Sequence, residues 1–298
     1  MNHRLIEKIV CFALLIIVIV LYIPILTFYY PKLMFYNYGS LIAARESFVN
    51  HLKVYDAYDK SGSIKFTRLG NDNDGGYVLP EIALEKADVL MGYGVADDIS
   101  FEEKFSELYK KPSYGFDCGV SQIEIRNDMC HFISECISSD TFLYGNQQSS
   151  GKVSSFAQQL QKLDLKNKKI FVKMDIEGAE YEALPEILTY SKMITGIALE
   201  IHSTNKTRDI EKVITLLSAI EKDFILVHVH GNNRVIHSFN HTFLLDNVNG
   251  VVPTIVELTY INKSLVKNYQ ISTNQKHPSN LDMPCSKGSE DFSFEIVG

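Results

Sequence analysis

The sequence predicts an α/β fold, a mostly parallel sheet with helices on both faces, preceded by an N-terminal transmembrane helix. Three observations carry this. Strand-like and helix-like segments alternate from about residue 88 to 262, the pattern of chained βαβ units. The strand interiors are continuously apolar, as burial on both faces requires. Residues 9–30, "IVCFALLIIVIVLYIPILTFYY", are an uncharged run of 22 residues, long enough to cross about 30 Å of hydrocarbon as a helix.

That run is interrupted only by Pro24, which membrane helices tolerate. A cleaved signal peptide has a shorter apolar region followed by a small-residue cleavage site, whereas here "TFYYPKLMFYNY" follows. An uncleaved signal-anchor is therefore expected, with a cleaved signal or a buried helix as the alternatives. Arg4 and Lys8 precede the span and Lys32 follows it, so the positive-inside rule leaves residues 1–8 as a short cytoplasmic tail. The rest of the chain becomes lumenal or extracellular, a single-pass type II arrangement in the endoplasmic reticulum, Golgi or cell surface. Sequons at Asn205, Asn240 and Asn262 would then meet the glycosylation machinery. Cys11 lies in the span. Cys118, Cys130, Cys136 and Cys285 are either buried thiols or two disulfides in any of three pairings. A formal charge of −7 offers no clustered basic surface for nucleic acid.

Residues 31–62 read as a stalk or helical lead-in, with helical spacing in "SLIAARESFVNHLKVYDAY" and a turn at "KSGS". The domain proper is placed at 63–265. "IKFTRLG" is a short strand, "ADVLMGYG" a strand, and "SFEEKFSELYKK" a helix with Ser100 and Glu103 spaced as a capping box. "PSYGFDCG" and "MCHFISECIS" are strands, and "SSFAQQLQKL" is a helix capped by Ser154 or Ser155. "KKIFVKMD" is a strand, "EGAEYEALPEIL" a helix bent or restarted at Pro185, and "ITGIALEIH" a strand. Ile210, Val213, Ile214 and Leu217 give the next helix one apolar face. "FILVHVHG" and "TIVELTYI" complete the strands, and residues 266–298 read as a loose C-terminal tail.

Ligands of open α/β sheets sit beyond the carboxyl ends of the strands, and the polar residues of this sequence cluster there. Gly92 and Gly94 follow the first strand, where a missing Cβ lets backbone approach a ligand; the third position of the turn is Ala96. Asp117 ends the second strand, placed to accept ribose hydroxyls or simply to cap a turn. "KMDIEGAEYEAL" sets Asp175, Glu177 and Glu180 at the next strand-to-helix junction. Glu200 with His202, and His228 with His230, are same-face pairs by strand alternation. Asp175, Glu177, Glu200, His202, His228 and His230 are expected to gather on one rim. Asp175, Glu200, His202 and His228 are the candidates for a divalent metal. "GNDNDGGYVLP" (70–80) is a loop placed to close over the pocket, and its "DND" is similar to the DxD element of lumenal glycosyltransferases.

In order, "RLGNDNDGGYVLP", "MGYGVADDISFEEKF", "YGFD", "FVKMDIEGAEYEAL", "ALEIH" and "VHVHGNN" resemble the motifs of FkbM-type S-adenosylmethionine-dependent methyltransferases, including membrane-anchored metazoan relatives. The resemblance spans residues 64 to 262. It implies a Rossmann-like sheet of seven strands with the last antiparallel, and O-methylation of a hydroxyl on a sugar, glycan or small metabolite. It also implies that Gly92 and Gly94 lie along the methionine part of the cofactor, that Asp117 holds the ribose, and that Asp175 faces the reaction centre. Many such enzymes carry an acid two residues before the first glycine, where this chain has Leu90. Asp175, His202 and His230 are the candidate catalytic residues, for proton removal from the acceptor. A nucleotide-sugar-dependent glycosyltransferase and a catalytically silent membrane-tethered interaction protein are the other two function classes.

Overall fold

The computed structural model describes residues 30–138, 152–203, 206–235 and 242–297. The expected span at 9–30, but for Tyr30, and the sequons at Asn205 and Asn240 lie outside the described residues. Among the described residues no helix is long and apolar enough to cross a membrane. The chain divides into two units, Met1–Glu46 and Ser47–Gly298. Helix α1 (Tyr30–Asn50) begins in the first.

The second unit is built on a seven-stranded sheet of β1 (Val89–Tyr93), β2 (Ser113–Phe116), β3 (Cys130–Ile133), β4 (Ile170–Met174), β5 (Ile194–Ile201), β6 (Phe224–Gly231) and β7 (Val256–Asn262). The spatial order is 3-2-1-4-5-7-6. Strands β1 to β5 are parallel, and β7 runs antiparallel to both β5 and β6. Chain order reverses between β1 and β4, the switch point at which doubly wound sheets open a crevice.

Helices α2 (Glu81–Lys86), α3 (Ser100–Tyr109), α4 (Phe156–Lys162), α5 (Glu180–Leu188) and α6 (Thr207–Ile220) connect the strands. Alternation along each strand sends Leu90, Phe171, Ala198 and Ile261 to one face. There they form a single apolar cluster with Ala83 and Leu84 of α2, Phe101 and Phe105 of α3, and Tyr77 and Leu79. The last two belong to an antiparallel hairpin, Phe66–Leu69 with Tyr77–Pro80. Burying Phe105 and Phe171, each 0% exposed, contributes roughly 2–3 kcal/mol apiece. On the other face Tyr93 donates its hydroxyl to Gln159 of α4 at 2.8 Å.

Strand β6 contains a register shift between Leu226 and His228, so that Leu226 faces Tyr260 and His228 faces Thr259. A one-residue bulge exchanges the faces of everything beyond it. Ile225 before the shift and His228 and His230 after it therefore share the face of Ile261, Thr259 and Glu257. Without that bulge the two histidines would point the opposite way.

Several expectations are corrected. The start of α3 is satisfied by Asp98, whose Oδ1 accepts the Ser100 amide at 2.9 Å, while Ser100 Oγ is buried without a partner among the described residues. Glu103 instead accepts the backbone amide of Arg126. Ser155 is the cap of α4, in a complete capping box with Gln158. Residues 129–138 break at Ser134 into β3 and a short strand, Glu135–Ile137, that pairs in parallel with Lys152–Ser154. Residues 266–297 are tied into the fold rather than loose. Asn268–Ile271 pairs with Tyr55–Tyr58, and Phe294–Ile296 pairs with both Lys276–His277 and Val248–Gly250. The domain thus takes in both the end of the lead-in and the C-terminal segment. Cys118 and Cys136 form one disulfide, and Cys130 and Cys285 are buried thiols. Asn262 is buried, with its amide nitrogen donating to Ser191 O at 2.8 Å and Ile194 O at 2.9 Å, so this sequon is not presented at the surface.

His277 links the C-terminal segment to pH. Its ring is buried against Phe294, centroids 4.9 Å apart, and its Nε2 has no partner among the described residues. Burial, aided by His228, lowers its pKa from 6.5 to about 4. A depressed pKa supports the fold above 6.5 and withdraws that support as pH falls toward 4, on the order of 3 kcal/mol in all. Chemical denaturation of wild type between pH 7 and 4 is expected to lose stability in that window, with a His277→Phe variant losing clearly less.

Candidate functional site

A cleft of about 600 Å³ opens at the carboxyl ends of β1, β2 and β4, with Gly94, Asp117, Glu102, Lys173 and Asp175 among its walls. The switch point builds it. Asp175 donates its amide to Tyr93 O at 3.0 Å, and Gly94 donates to Phe116 O at 2.9 Å, so the ends of three strands are laced together. Gly94 has φ 76°, and a Cβ there would lie 1.5 Å from Asp175 O. Only glycine permits that approach.

Asp117, at the end of β2, accepts the Ala96 amide at 2.9 Å through Oδ2 and the Gly119 amide at 2.7 Å through Oδ1. Its carboxylate is thereby fixed on the cleft wall with lone pairs to spare. The Cys118–Cys136 disulfide continues that wall.

Gly92 has a different role from the expected one. It is absent from the cleft wall, and a Cβ on it would lie 1.8 Å from Oε1 of Glu102. The space is taken by a carboxyl arriving from α3. Glu102 is 1% exposed, and its Oε1 has no partner among the described residues. Burial pushes its pKa up to about 7, against the pull of Lys173. Lys173, also buried, reaches Gly94 O at 3.2 Å and Asp175 Oδ2 at 3.8 Å, and lies 5.6 Å from the centroid of the Tyr77 ring.

The junction after β4 is a tight turn in which Glu177 adopts φ 55° and Gly178 φ 102°. Glu180, fully buried, closes it by accepting the Ile176 amide at 3.1 Å and the Gly178 amide at 3.2 Å. The same oxygen meets His202 Nδ1 at 3.2 Å. His202 Nε2 faces Glu200 at 3.0 Å, Glu177 at 3.2 Å and Asp175 at 3.9 Å. Burial would lower the pKa of this imidazole, but hydrogen bonds and charge from Glu180 and Glu200 outweigh it and hold it up to about 11. Both ring nitrogens of His202 are thus engaged by carboxylates, Nδ1 by Glu180 and Nε2 by Glu200, and the residue is not among those lining the cleft. Asp175, Glu200 and His202 do converge, their ligand atoms within 4.8 Å of one another, a donor set competent to hold a divalent cation.

The six expected side chains do not form one group. Asp175, Glu177, Glu200 and His202 meet around the His202 ring. His228 instead pairs with Asp282 at 2.8 Å, which takes it out of the metal set. His230 lies between Glu257 at 2.8 Å and Asp291 at 2.9 Å, away from the cleft walls, and is no candidate for catalysis there. The bulge in β6 brings both histidines to the correct face, but β7 stands between them and β5.

The 70–76 loop does border the cleft through Asp74 and Gly75. Arg68 binds its carbonyls at Asn71, Asn73 and Gly76, and Asp74 is ion-paired with Arg234, also on the cleft wall. Of the "DND" pair, Asp72 is exposed and absent from the wall. The two carboxylates are therefore not presented together as a metal clamp.

Glu102, Lys173 and Arg234 were not anticipated from sequence. A lysine inside the apolar run "IFVKM" was a visible signal, since a buried cation needs a partner. Glu102 sits in a helix rich in acids and gave none. Compared with protein-family models, curated proteins and solved structures, the chain finds no match.

The conflict between Gly92 and Glu102 is measurable. Gly92→Ala is expected to destabilise by about 1–3 kcal/mol through overpacking, and most of that penalty should vanish in a Glu102→Ala background. Denaturant midpoints of the four proteins close the cycle.

Proposed function

We propose that this chain is an S-adenosylmethionine-dependent O-methyltransferase of the FkbM type, acting on a hydroxyl of a sugar, glycan or small metabolite. The observation that carries this reading is one cleft, at the switch point of a 3-2-1-4-5-7-6 sheet, walled by both Asp117 and Asp175. Its volume of about 600 Å³ suits a nucleoside-sized ligand.

The residues present fit the methyl donor. Asp117 is positioned by two amides to accept the ribose hydroxyls, the role a strand-end acid plays in nucleotide-binding α/β folds. Leu90 is buried in the apolar cluster, and the carboxyl beside Gly92 comes from Glu102, whose orphaned oxygen is the group to receive the donor's ammonium. The bound sulfonium supplies the methyl group and leaves as a thioether.

Alignment is the protein's main contribution. The acceptor hydroxyl must give up its proton, and Asp175 is the carboxylate at hand, with 24% of its side chain exposed beside the cleft. Lys173 and the Tyr77 hydroxyl, 3.8 and 3.4 Å from Asp175 Oδ2, hold it in place. His202 pairs with Glu177, Glu180 and Glu200 beside it. The Cys118–Cys136 disulfide belongs to an oxidising compartment, which agrees with an anchor at 9–30 that leaves this domain lumenal or extracellular.

Calorimetry on the purified protein is expected to show S-adenosylmethionine binding, weakened at least tenfold by Asp117→Ala. Asp175→Asn should bind the donor normally and lose methyl transfer to a glycan panel. At a hundred times Kd the donor should add about 2.7 kcal/mol of stability. Stabilisation by nucleotide-sugars instead, with no heat from S-adenosylmethionine, would establish the glycosyltransferase reading.

A further inference from the structure

Away from the cleft, His230, Glu257 and Cys285 form a second convergence. Each is buried, and their ligand atoms lie within 4.8 Å of one another. They come from three parts of the chain. Strand register places His230 of β6 directly opposite Glu257 of β7, and the C-terminal segment delivers Cys285.

The contacts give each atom an orientation. His230 Nδ1 and Glu257 Oε2 are 2.8 Å apart. The Cys285 thiol donates to Glu257 Oε1 at 3.2 Å. His230 Nε2, on the far side of the ring, faces Asp291 Oδ2 at 2.9 Å. A carboxylate on the outer nitrogen of an imidazole, with sulfur and oxygen donors at the inner one, is how proteins orient a metal-bound histidine.

We propose that His230 Nδ1, Cys285 Sγ and the Glu257 carboxylate bind a zinc-like divalent cation, with Asp291 positioning the imidazole. Mixed sulfur, nitrogen and oxygen donors select zinc over calcium or magnesium, which take oxygen ligands. Three protein ligands leave a fourth position. On binding, metal–sulfur, metal–nitrogen and metal–oxygen bonds form while the Cys285 thiol proton and the His230 Nδ1 proton are released to solvent. The charge of the cation also answers an excess of carboxylate, because Glu257 lies opposite Glu200 on its other flank.

The site would act as a staple. Asn233 accepts the Ser286 amide at 2.7 Å and donates to Glu290 O at 2.9 Å, so residues 285–291 are held against the sheet around the donor set. Asn73 of the cleft loop donates to Pro284 O at 2.8 Å, next to the cysteine ligand. Metal at this position would therefore steady the cleft loop from behind, without entering the cleft.

Elemental analysis of the full-length protein as purified is expected to find one zinc per chain. Replacement by cobalt(II) is expected to give a near-ultraviolet thiolate-to-cobalt charge-transfer band. The band should persist in Cys11→Ser/Cys130→Ser, where Cys285 is the sole thiol outside the disulfide, and disappear in Cys285→Ser. If Cys285→Ser does not fold, the band in the double variant decides alone. Absence of stoichiometric metal and of the band in that variant would overturn the proposal and leave the cluster a buried ion pair. Cobalt bound without charge transfer would place the metal at Asp175, Glu200 and His202 and overturn it equally.

Discussion

Carboxylates withdrawn from water must be paired or protonated, and the carboxyl rim of this sheet is organised around that constraint. Glu180, Glu200 and Glu257 are each at most 4% exposed. Glu180 is answered by two amides and His202. Glu200 has His202 and the Asn232 amide, yet burial and Asp175 still push it up to about 7. Glu257 has His230 and Cys285. The two imidazoles are thus each held between carboxylates, while Asp175 and Asp117 stand at the strand ends among the acids of the cleft wall.

The same constraint explains why the C-terminal segment is ordered. The bulge in β6 turns His228 and His230 toward the face that carries Glu257. Two buried imidazoles there need partners beyond one glutamate. The segment supplies Asp282 to His228 and Asp291 to His230, and its strand Phe294–Ile296 ties the end of the chain into a small sheet. A bulge in one strand and a polar segment some fifty residues later are parts of one arrangement.

Much of the fold was legible because it is written in local period. Continuous apolar runs marked β1, β4, β5, β6 and β7, and the helical spacing of Ile210, Val213 and Leu217 matched α6, where all three are buried. Asp117 and Asp175 were legible as cleft-lining residues because strand ends in such sheets open onto the switch-point crevice. What escaped is long-range. Alternation told that His228 and His230 share a face, but not which strand lies beside them. A Ser-, Asn- and Lys-rich segment reads as solvated until the buried histidines it serves are known. Ser100 and Glu103 had the spacing of a capping box, yet Asp98 stood nearer the orphaned amide.

Backbone strain adds an independent pointer to the cleft. Four non-glycine residues among those described have positive φ, Ala96, Lys110, Asp164 and Glu177. Lys110 is the left-handed cap of α3 and Asp164 follows the end of α4, the ordinary place for such a conformation. Ala96 and Glu177 end no helix, and both line the cleft. The left-handed region costs about 1–2 kcal/mol without glycine, and such residues persist where surrounding contacts over-determine them, most often at functional sites. Here the contacts are visible, since Ala96 gives its amide to Asp117 and Glu177 extends its carboxylate to His202. Glycine at either position would relax the strain and free the loop, whereas a side-chain-bearing residue keeps both walls of the cleft in one conformation before any ligand arrives.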